Sequence, residues 1–298
     1  MHPLRVIGEV GASSSRWALV RPGGTELFPH KGEALPGFNP LNGDAVLFAE
    51  GLKSYLQERA PDALEVPEVL VYGAGCGSPD RKARMALTIA GVWPRAAVHV
   101  DTDLMGAARG LLGRGQGLVL ILGTGMNAGH FDGHQLYRPL PSLGWILGDE
   151  GSGADIGRNL LQDAFYRRMP VDILEQLFGP DGPDLDAVLA EVHRSPFPAR
   201  ALAARTAGLS PLLEEPYVRD LLRSRFHALA ELLVTFFSPE QRSEVSATGS
   251  VAWGFREILS ECLLDRGMTL TAVERDPLPG LVRFHGPAPE LGRGSSAS

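Results

Sequence analysis

Apolar positions from Leu4 to Val10 and from Arg16 to Val20 crowd into two short β-rich runs around a small polar segment, Gly11 to Ser15. That pattern predicts strand, tight turn, strand. A third strand over about Thr25 to Pro29 completes a meander. Pro36-Gly37-Phe38-Asn39-Pro40 has the composition of a loop, and from Ala45 to Ala60 the apolar spacing becomes helical. Glu68 to Tyr72 reads as a buried strand running into Gly73-Ala74-Gly75. A helix over about Arg81 to Ala90 and a strand over Ala96 to Val100 continue the β-α-β series of a mixed sheet with helices on its faces.

A short helix, Thr102 to Leu112, leads out of that sheet, and then the pattern restarts. Gly117 to Gly123 is a strand, Gly125 to Asn127 a turn and Ala128 to Phe131 a return strand. Positions 155–236 are mostly helical by period, interrupted at Pro170, Gly179 to Pro183 and Pro196 to Pro198. Glu244 to Thr248 returns to strand, Gly249-Ser250 turns, and Val251 to Leu264 runs on as helix. Two hairpins with small-residue turns, each heading a series, predict a duplicated α/β architecture. The expected division is 1–104 and 105–274, with a helical insertion over about 155–236 in the second part. A terminal segment of about 275–290 packs back on the first part, and a flexible tail covers 286–298.

Composition narrows the function classes. A length of 298 residues suits two domains, and 44% hydrophobic with 21% charged residues is ordinary for a globular protein. The 28 basic and 35 acidic residues give a net charge of −7 without a Lys/Arg run, which argues against nucleic acid as a partner. No stretch reaches the roughly 18 apolar residues of a membrane helix, and no signal-peptide pattern opens the chain, so no membrane association and a cytoplasmic location are expected. The two cysteines, Cys76 and Cys262, cannot supply a zinc ribbon or a four-cysteine cluster from one chain.

Four separated turns and one strand end carry the candidate chemistry. Gly123-Thr124-Gly125-Met126-Asn127 ends a buried strand, where two glycines permit positive φ and close backbone approach. Its amides can form an anion nest with the Thr124 hydroxyl beside them, or simply turn a hairpin. Leu143 to Gly153 packs four glycines, Asp149 and Glu150 ahead of a helix. Either Ser152 or Asp149 caps that helix, or Asp149 accepts hydrogen bonds from substrate hydroxyls while a ligand approaches the helix N-terminus. Gly8 to Arg16 places Glu9 before a hydroxyl-rich hairpin. There Gly11, Ser13 and Ser14 can grip nucleotide phosphates and Glu9 can hold Mg²⁺, or the serines merely form a surface loop. Asp101 and Asp103 flank Thr102 at a strand C-terminus. One carboxylate there can orient an acceptor hydroxyl and take its proton, with Asp103 the candidate, or both can cap the next helix. Gly249-Ser250 can clasp an adenosine or be a plain β-α turn.

Together these segments resemble the BadF/BadG/BcrA/BcrD-type ATPase family, and within it bacterial sugar kinases similar to N-acetylglucosamine kinase. The resemblance spans nearly the whole chain. It is carried by Gly37 to Pro40, Tyr72 to Cys76, Asp103 with Ala107-Ala108-Arg109, Leu122 to Asn127, Leu143 to Gly153, Gly249 to Ala252, and Pro279-Gly280-Leu281 to His285. It implies a duplicated ribonuclease H-like, actin-like ATPase fold of two lobes around a central cleft, closing on ATP, Mg²⁺ and a small-molecule sugar. It further implies Asp103 as the base, Asn39, Asn127 and Asp149 as sugar contacts, Thr124 and Gly125 toward phosphate, and Gly249 and Ser250 toward adenosine. Actin-like sugar kinases are often dimers, so a homodimer is open.

Two positions depart from the family pattern: Glu9 stands where Asp is usual, and Ser14 where Lys is frequent. The expected activity is ATP-dependent phosphorylation of an amino sugar, N-acetylglucosamine to its 6-phosphate first among the acceptors. A catalytically weakened sugar- or nucleotide-binding homologue is the alternative that Glu9 and Ser14 raise. An ATPase activator of a radical enzyme is a third, which the placing of the cysteines disfavours.

Overall fold

The computed structural model describes residues 4–286. Of the tail expected over 286–298, all but Gly286 lies outside the described residues. The chain divides into two compact units, one running to Gly113 and resuming at Pro277, the other Arg114–Asp276. The first boundary falls later than position 104 because the helix opening at Asp103 packs with the first unit.

In that unit the elements are β1 (Arg5–Val10), β2 (Ser14–Arg21), β3 (Gly24–Phe28), β4 (Leu35–Pro36), α1 (Ala45–Arg59), β5 (Glu68–Gly73), α2 (Pro79–Val92), β6 (Ala97–Thr102) and α3 (Asp103–Leu112). The sheet order is β3-β2-β1-β5-β6, with β4 paired to β2. β1 is antiparallel to β2 and parallel to β5, and β5 is parallel to β6. Strand alternation sorts side chains between the two faces. Val6 and Val10 join Trp17, Phe38, Phe48, Leu52 and Met85 in a core under α1 and α2, whereas Ile7, Ala18 and Tyr72 form a second cluster on the opposite face. Gly8 pairs with Trp17 across β1 and β2, and the indole lies so close over Gly8 that a Cβ would collide with it.

The second unit repeats the plan. β7 (Gly117–Leu122), β8 (Met126–Phe131) and β9 (Leu136–Tyr137) form its meander. Six helices follow: α4 (Gly144–Leu147), α5 (Gly153–Phe165), α6 (Val171–Phe178), α7 (Leu185–Arg194), α8 (Pro198–Ala204) and α9 (Pro216–Phe236). After α10 (Pro239–Arg242) come β10 (Glu244–Thr248), α11 (Ser250–Gly254), α12 (Arg256–Leu264) and β11 (Thr269–Glu274). Read from its meander edge, the order β9-β8-β7-β10-β11 places this unit's third, second, first, fourth and fifth strands as in the other sheet. Its core joins β7 and β10 to α5, α9 and α12, through Leu120, Ile156, Phe226, Leu229 and Leu259 among others. The predicted helix over Val251 to Leu264 is broken at Phe255, whose buried ring separates α11 from α12.

The chain then re-enters the first unit as α13 (Leu278–His285), where Leu278 and Leu281 join the cluster of Ile7 and Tyr72. Gly110 of α3 and Gly280 of α13 allow the two helices to touch, since a Cβ on Gly280 would strike the Gly110 carbonyl. Among the described residues, no helix is long and apolar enough to cross a membrane.

Candidate active site

In the first unit, register aligns Glu9 on β1 with Tyr72 on β5 and Asp101 on β6, in one row near the strand C-termini. Ligand clefts in α/β sheets form at that edge. The turn between β1 and β2 is shorter than the sequence indicated, because β2 already starts at Ser14. Gly11 N–H donates to the Ser14 carbonyl at 2.9 Å, and the Gly11 carbonyl accepts from Phe38 N–H at 3.0 Å. The Gly11 amide is therefore spent inside the hairpin and does not point at a ligand. Ser15 is buried, donating to the Pro36 carbonyl at 2.7 Å and accepting from the Trp17 indole at 3.0 Å, while Ser14 is exposed and Ser13 half-buried. Gly37 lies against this backbone, where a Cβ would strike Gly11 and Ser14.

Asn39 follows on the same loop. Its Oδ1 accepts from Leu41 N–H at 2.9 Å, and its amide presses on Gly75, which sits at φ +74° with no room for a Cβ. Ala74 N–H donates to the Val10 carbonyl at 2.8 Å, so the ends of β1 and β5 and the Asn39 loop are brought together.

Neither aspartate beside Thr102 caps α3. Thr102 does, accepting from Met105 N–H at 3.1 Å, while Asp103 accepts from Leu104 N–H at 2.8 Å. Asp101 is held by the Lys82 ammonium at 2.7 Å. Asp103 is near enough to Cys76 that its charge, after burial, helps push the thiol up to about 12. Cys262 is also buried, and burial raises it to about 11. Such buried, protonated thiols offer no exposed pair to bridge a cluster at a dimer axis.

In the second unit, the turn after β7 is Gly123 to Gly125, and β8 resumes at Met126, two residues before the predicted return. Neither glycine has positive φ. Gly125 is required instead by contact, since a Cβ there would lie 2.8 Å from Asp149 Oδ2, whereas a Cβ on Gly123 meets open space. The turn's carbonyls face α5: Gly153 N–H donates to Gly123 O at 2.8 Å and Ala154 N–H to Thr124 O at 3.1 Å. The helix N-terminus is therefore filled by protein, contrary to the expectation that a ligand approaches it. Ser152 is the cap, accepting from Asp155 N–H at 3.2 Å, so Asp149 is spared that task.

Asp149 itself is buried and sits at φ +61°. Burial raises its carboxyl to about 6, with the Met126 N–H bond acting in the opposite sense and the charges of Glu150 and Asp155 adding to the rise. The loop beneath is anchored by buried Asp155, which accepts from Gly151 N–H at 2.9 Å and faces Arg158 at 2.8 Å and Arg225 at 3.1 Å.

Asn127 and Asp149 line one cavity of about 180 Å³. Glu150 and Ser142 are its other polar walls, and Leu140, Leu143, Leu232 and Phe236 contribute apolar ones. The sequence reading missed these walls: Leu232 and Phe236 come from α9, with no local motif to mark them, while Glu150 stood within the glycine-rich run without an assigned task. Gly249, at φ +117°, packs on the Leu122 carbonyl and donates its N–H to Glu274 O at 3.1 Å, with Ser250 exposed at the start of α11. The pairing of β10 with β7 thus sets the Gly249-Ser250 turn beside the Gly123-Thr124-Gly125 turn.

Comparison with known proteins adds the family. No family model matches the chain, so the likeness to BadF/BadG-type ATPases rests on its motifs, and no curated protein matches either. Among solved structures, a Porphyromonas gingivalis protein provisionally named an N-acetylglucosamine kinase is 30% identical, with 95% of this chain and 98% of that one covered and a TM-score of 0.85. A Chromobacterium violaceum protein of the same provisional name is 20% identical over 95% and 99% of the two chains, with a TM-score of 0.64. A ROK family glucokinase from Streptomyces griseus, solved with glucose and AMPPNP, is 16% identical over 95% and 98%, with a TM-score of 0.51. These last two bear on fold alone. The duplicated sheet order, the aligned turns and the 30% identity over nearly both full lengths lead to one conclusion: the chain belongs to the sugar kinase family of the actin-like ATPase superfamily.

Proposed function

We propose that the protein transfers the terminal phosphoryl group of ATP to a hydroxyl of an N-acylated amino sugar, with N-acetylglucosamine and its 6-phosphate the first pair to test. The observation that carries this reading is the cavity shared by Asn127 and Asp149, two residues singled out from sequence as sugar contacts. The Asn127 side chain makes no hydrogen bond among the described residues, which leaves its amide available to both donate and accept. The Asp149 carboxylate, half-neutralised near pH 6, accepts from hydroxyls above that pH.

Asp103 is the proposed general base, orienting the acceptor hydroxyl and taking its proton as the phosphoryl group moves. Asn39 is the proposed sugar contact of the same unit. Phosphate binding falls to the Thr124 hydroxyl with the Gly125 backbone, and to Ser13 and Ser14 of the β1–β2 hairpin with Gly11 as its hinge. Gly249 and Ser250 are the proposed adenosine side, and the adjacency of their turn to that of Thr124 supports one nucleotide spanning both.

Glu9 is the proposed Mg²⁺ contact. Glu9 supplies one carboxylate in the row near the strand C-termini, and Mg²⁺ is commonly held by one or two carboxylates with water and phosphates. When bound with ATP, the ion neutralises charge developing on the phosphates. A coupled ADP-release assay over a panel of sugars tests the proposal, and absence of sugar-stimulated release at every concentration would sink it. Glu9 and exposed Ser14 favour one second reading, sugar binding with little turnover, for which calorimetry would show a bound sugar while the kinase assay stayed at background.

A further inference from the structure

We infer that Glu150 makes this cavity reject anionic acceptors, so that the substrate is a neutral N-acylated amino sugar rather than a sugar acid or sugar phosphate. The inference rests on the reading of the cavity as the acceptor site.

The cavity is lined by Asn127, Ser142, Asp149 and Glu150 as polar groups, and no Lys, Arg or His lines it. Charge balance differs sharply between its carboxylates and the one below them. Asp155 faces Arg158 and Arg225. Glu150 has no ion pair or hydrogen bond among the described residues, and its field is felt by Asp149, whose carboxyl it pushes upward. An incoming carboxylate or phosphate would thus meet like charge with no cation on the cavity wall to offset it, since Arg158, whose charge reaches Asp149, is already paired with Asp155. Rejection by an unmatched like charge is a common way to obtain specificity. The remaining walls, Leu140, Leu143, Leu232 and Phe236, are apolar and suit the methyl end of an acyl group, while Asn127 suits its amide.

The test compares N-acetylglucosamine, its 3-O-lactyl acid, and the methyl ester of that acid, which has similar bulk without the charge. For the wild type, kcat/KM for the acid should fall below that for the ester by on the order of tenfold. In Glu150→Gln the acid-to-ester ratio should rise by on the order of tenfold. Equal use of acid and ester by the wild type, or an unchanged ratio in Glu150→Gln, overturns the inference. Should that variant fail to fold, the wild-type ratio is followed against ionic strength: narrowing of the gap with salt supports a charge effect, and a salt-independent gap overturns it.

If no sugar is turned over, the kinase reading fails by itself. Competition between ester and acid for binding, measured by ligand-observed NMR, then decides the point. Preferential binding of the ester supports it, equal binding overturns it, and rejection of ester and acid alike while N-acetylglucosamine binds also overturns it.

Discussion

Gly125 stands where any side chain would intrude on Asp149: a Cβ there would lie 2.8 Å from the Asp149 Oδ2 atom. The neighbouring Gly123 carries no such constraint, since its Cβ direction is open. Of the two glycines of this turn, packing therefore requires only Gly125, which seats the carboxylate. Gly125→Ala should lower the melting temperature, at a cost of about 1–3 kcal/mol for overpacking. It should also reduce kcat/KM for the sugar by on the order of a hundredfold, as expected when a substrate-positioning group is displaced by about 1 Å. Gly123→Ala should leave the melting temperature near that of the wild type while raising KM for ATP. Thermal unfolding and steady-state kinetics on the two variants separate the cases.

Asp149 also carries a stability signature. Its folded carboxyl titrates at about 6, above the ordinary value near 4, because the charged form is desolvated. A carboxyl that holds its proton more tightly when folded weakens the fold as pH rises through the interval between those values. Asp149→Asn should therefore match the wild type near pH 4 and exceed it by roughly 3 kcal/mol above pH 6, where the carboxylate is ionised. Asn tolerates the left-handed backbone at this position, so strain does not offset the gain. Urea unfolding at pH 4.5 and 7.5 reads the difference, and the same variant should lose sugar phosphorylation. Greater stability with less activity is the pattern of a site residue held at a cost to the fold.

How much of this was legible in sequence depended on whether the signal was local. The strands that head each unit are short apolar runs beside small-residue turns, and β1, β2, β7 and β8 fall close to their predicted places. The edge strands β9 and β11 were not read: one has two residues, and the other alternates Thr269, Leu270, Thr271 and Ala272 with little burial to sharpen its period. Asn127 and Asp149 stand out as candidates because glycines flag their turns, and both line the cavity. Leu232 and Phe236 could not be, because they are ordinary members of an amphipathic helix until the fold carries them to the cavity wall. Thr102 hid its role as cap between two carboxylates that looked better suited to it.

Asp103 is the sharpest test of the proposed chemistry. It lies in the first turn of α3, where Thr102 supplies the cap and Asp101 the contact with Lys82. Asp103→Asn keeps an acceptor for the Leu104 N–H and removes the charge of the proposed base. The expectation is a fall in kcat of roughly 10²–10⁴ with KM for ATP and thermal stability nearly unchanged. A comparable fall in stability would assign Asp103 to the fold instead.

Glu9 offers a gain-of-function test. It occupies the end of β1, in register with Arg16 and Tyr72, so the backbone there is held by strands on both sides. One methylene more than Asp moves the carboxylate by about 1 Å, a displacement that matters for a positioned reaction. Glu9→Asp should raise kcat and lower the Mg²⁺ concentration needed for half-maximal rate, measured by titrating the metal at saturating ATP. An unchanged metal dependence would remove Glu9 from the proposed Mg²⁺ site.

His285 is a second buried group whose titration opposes that of Asp149. The Tyr72 hydroxyl accepts from Arg109 at 2.8 Å and lies 2.7 Å from His285 Nε2, joining α3, β5 and α13. Burial first, then the charges of Arg109 and Arg5, lower His285 to about 4. A histidine kept neutral by the fold contributes stability above its unfolded value near 6.5, and that stability is lost as pH falls toward 4. His285→Gln retains a hydrogen-bonding group but cannot titrate. Its stability relative to the wild type should therefore improve on acidification from pH 7 to 4.5, by on the order of 2–3 kcal/mol. Asp149→Asn moves the opposite way over the same range, losing its advantage as pH falls. Unfolding curves of both variants between pH 4.5 and 7.5 should give slopes of opposite sign, and slopes of the same sign would show that one of the two groups is not titrating as its surroundings require.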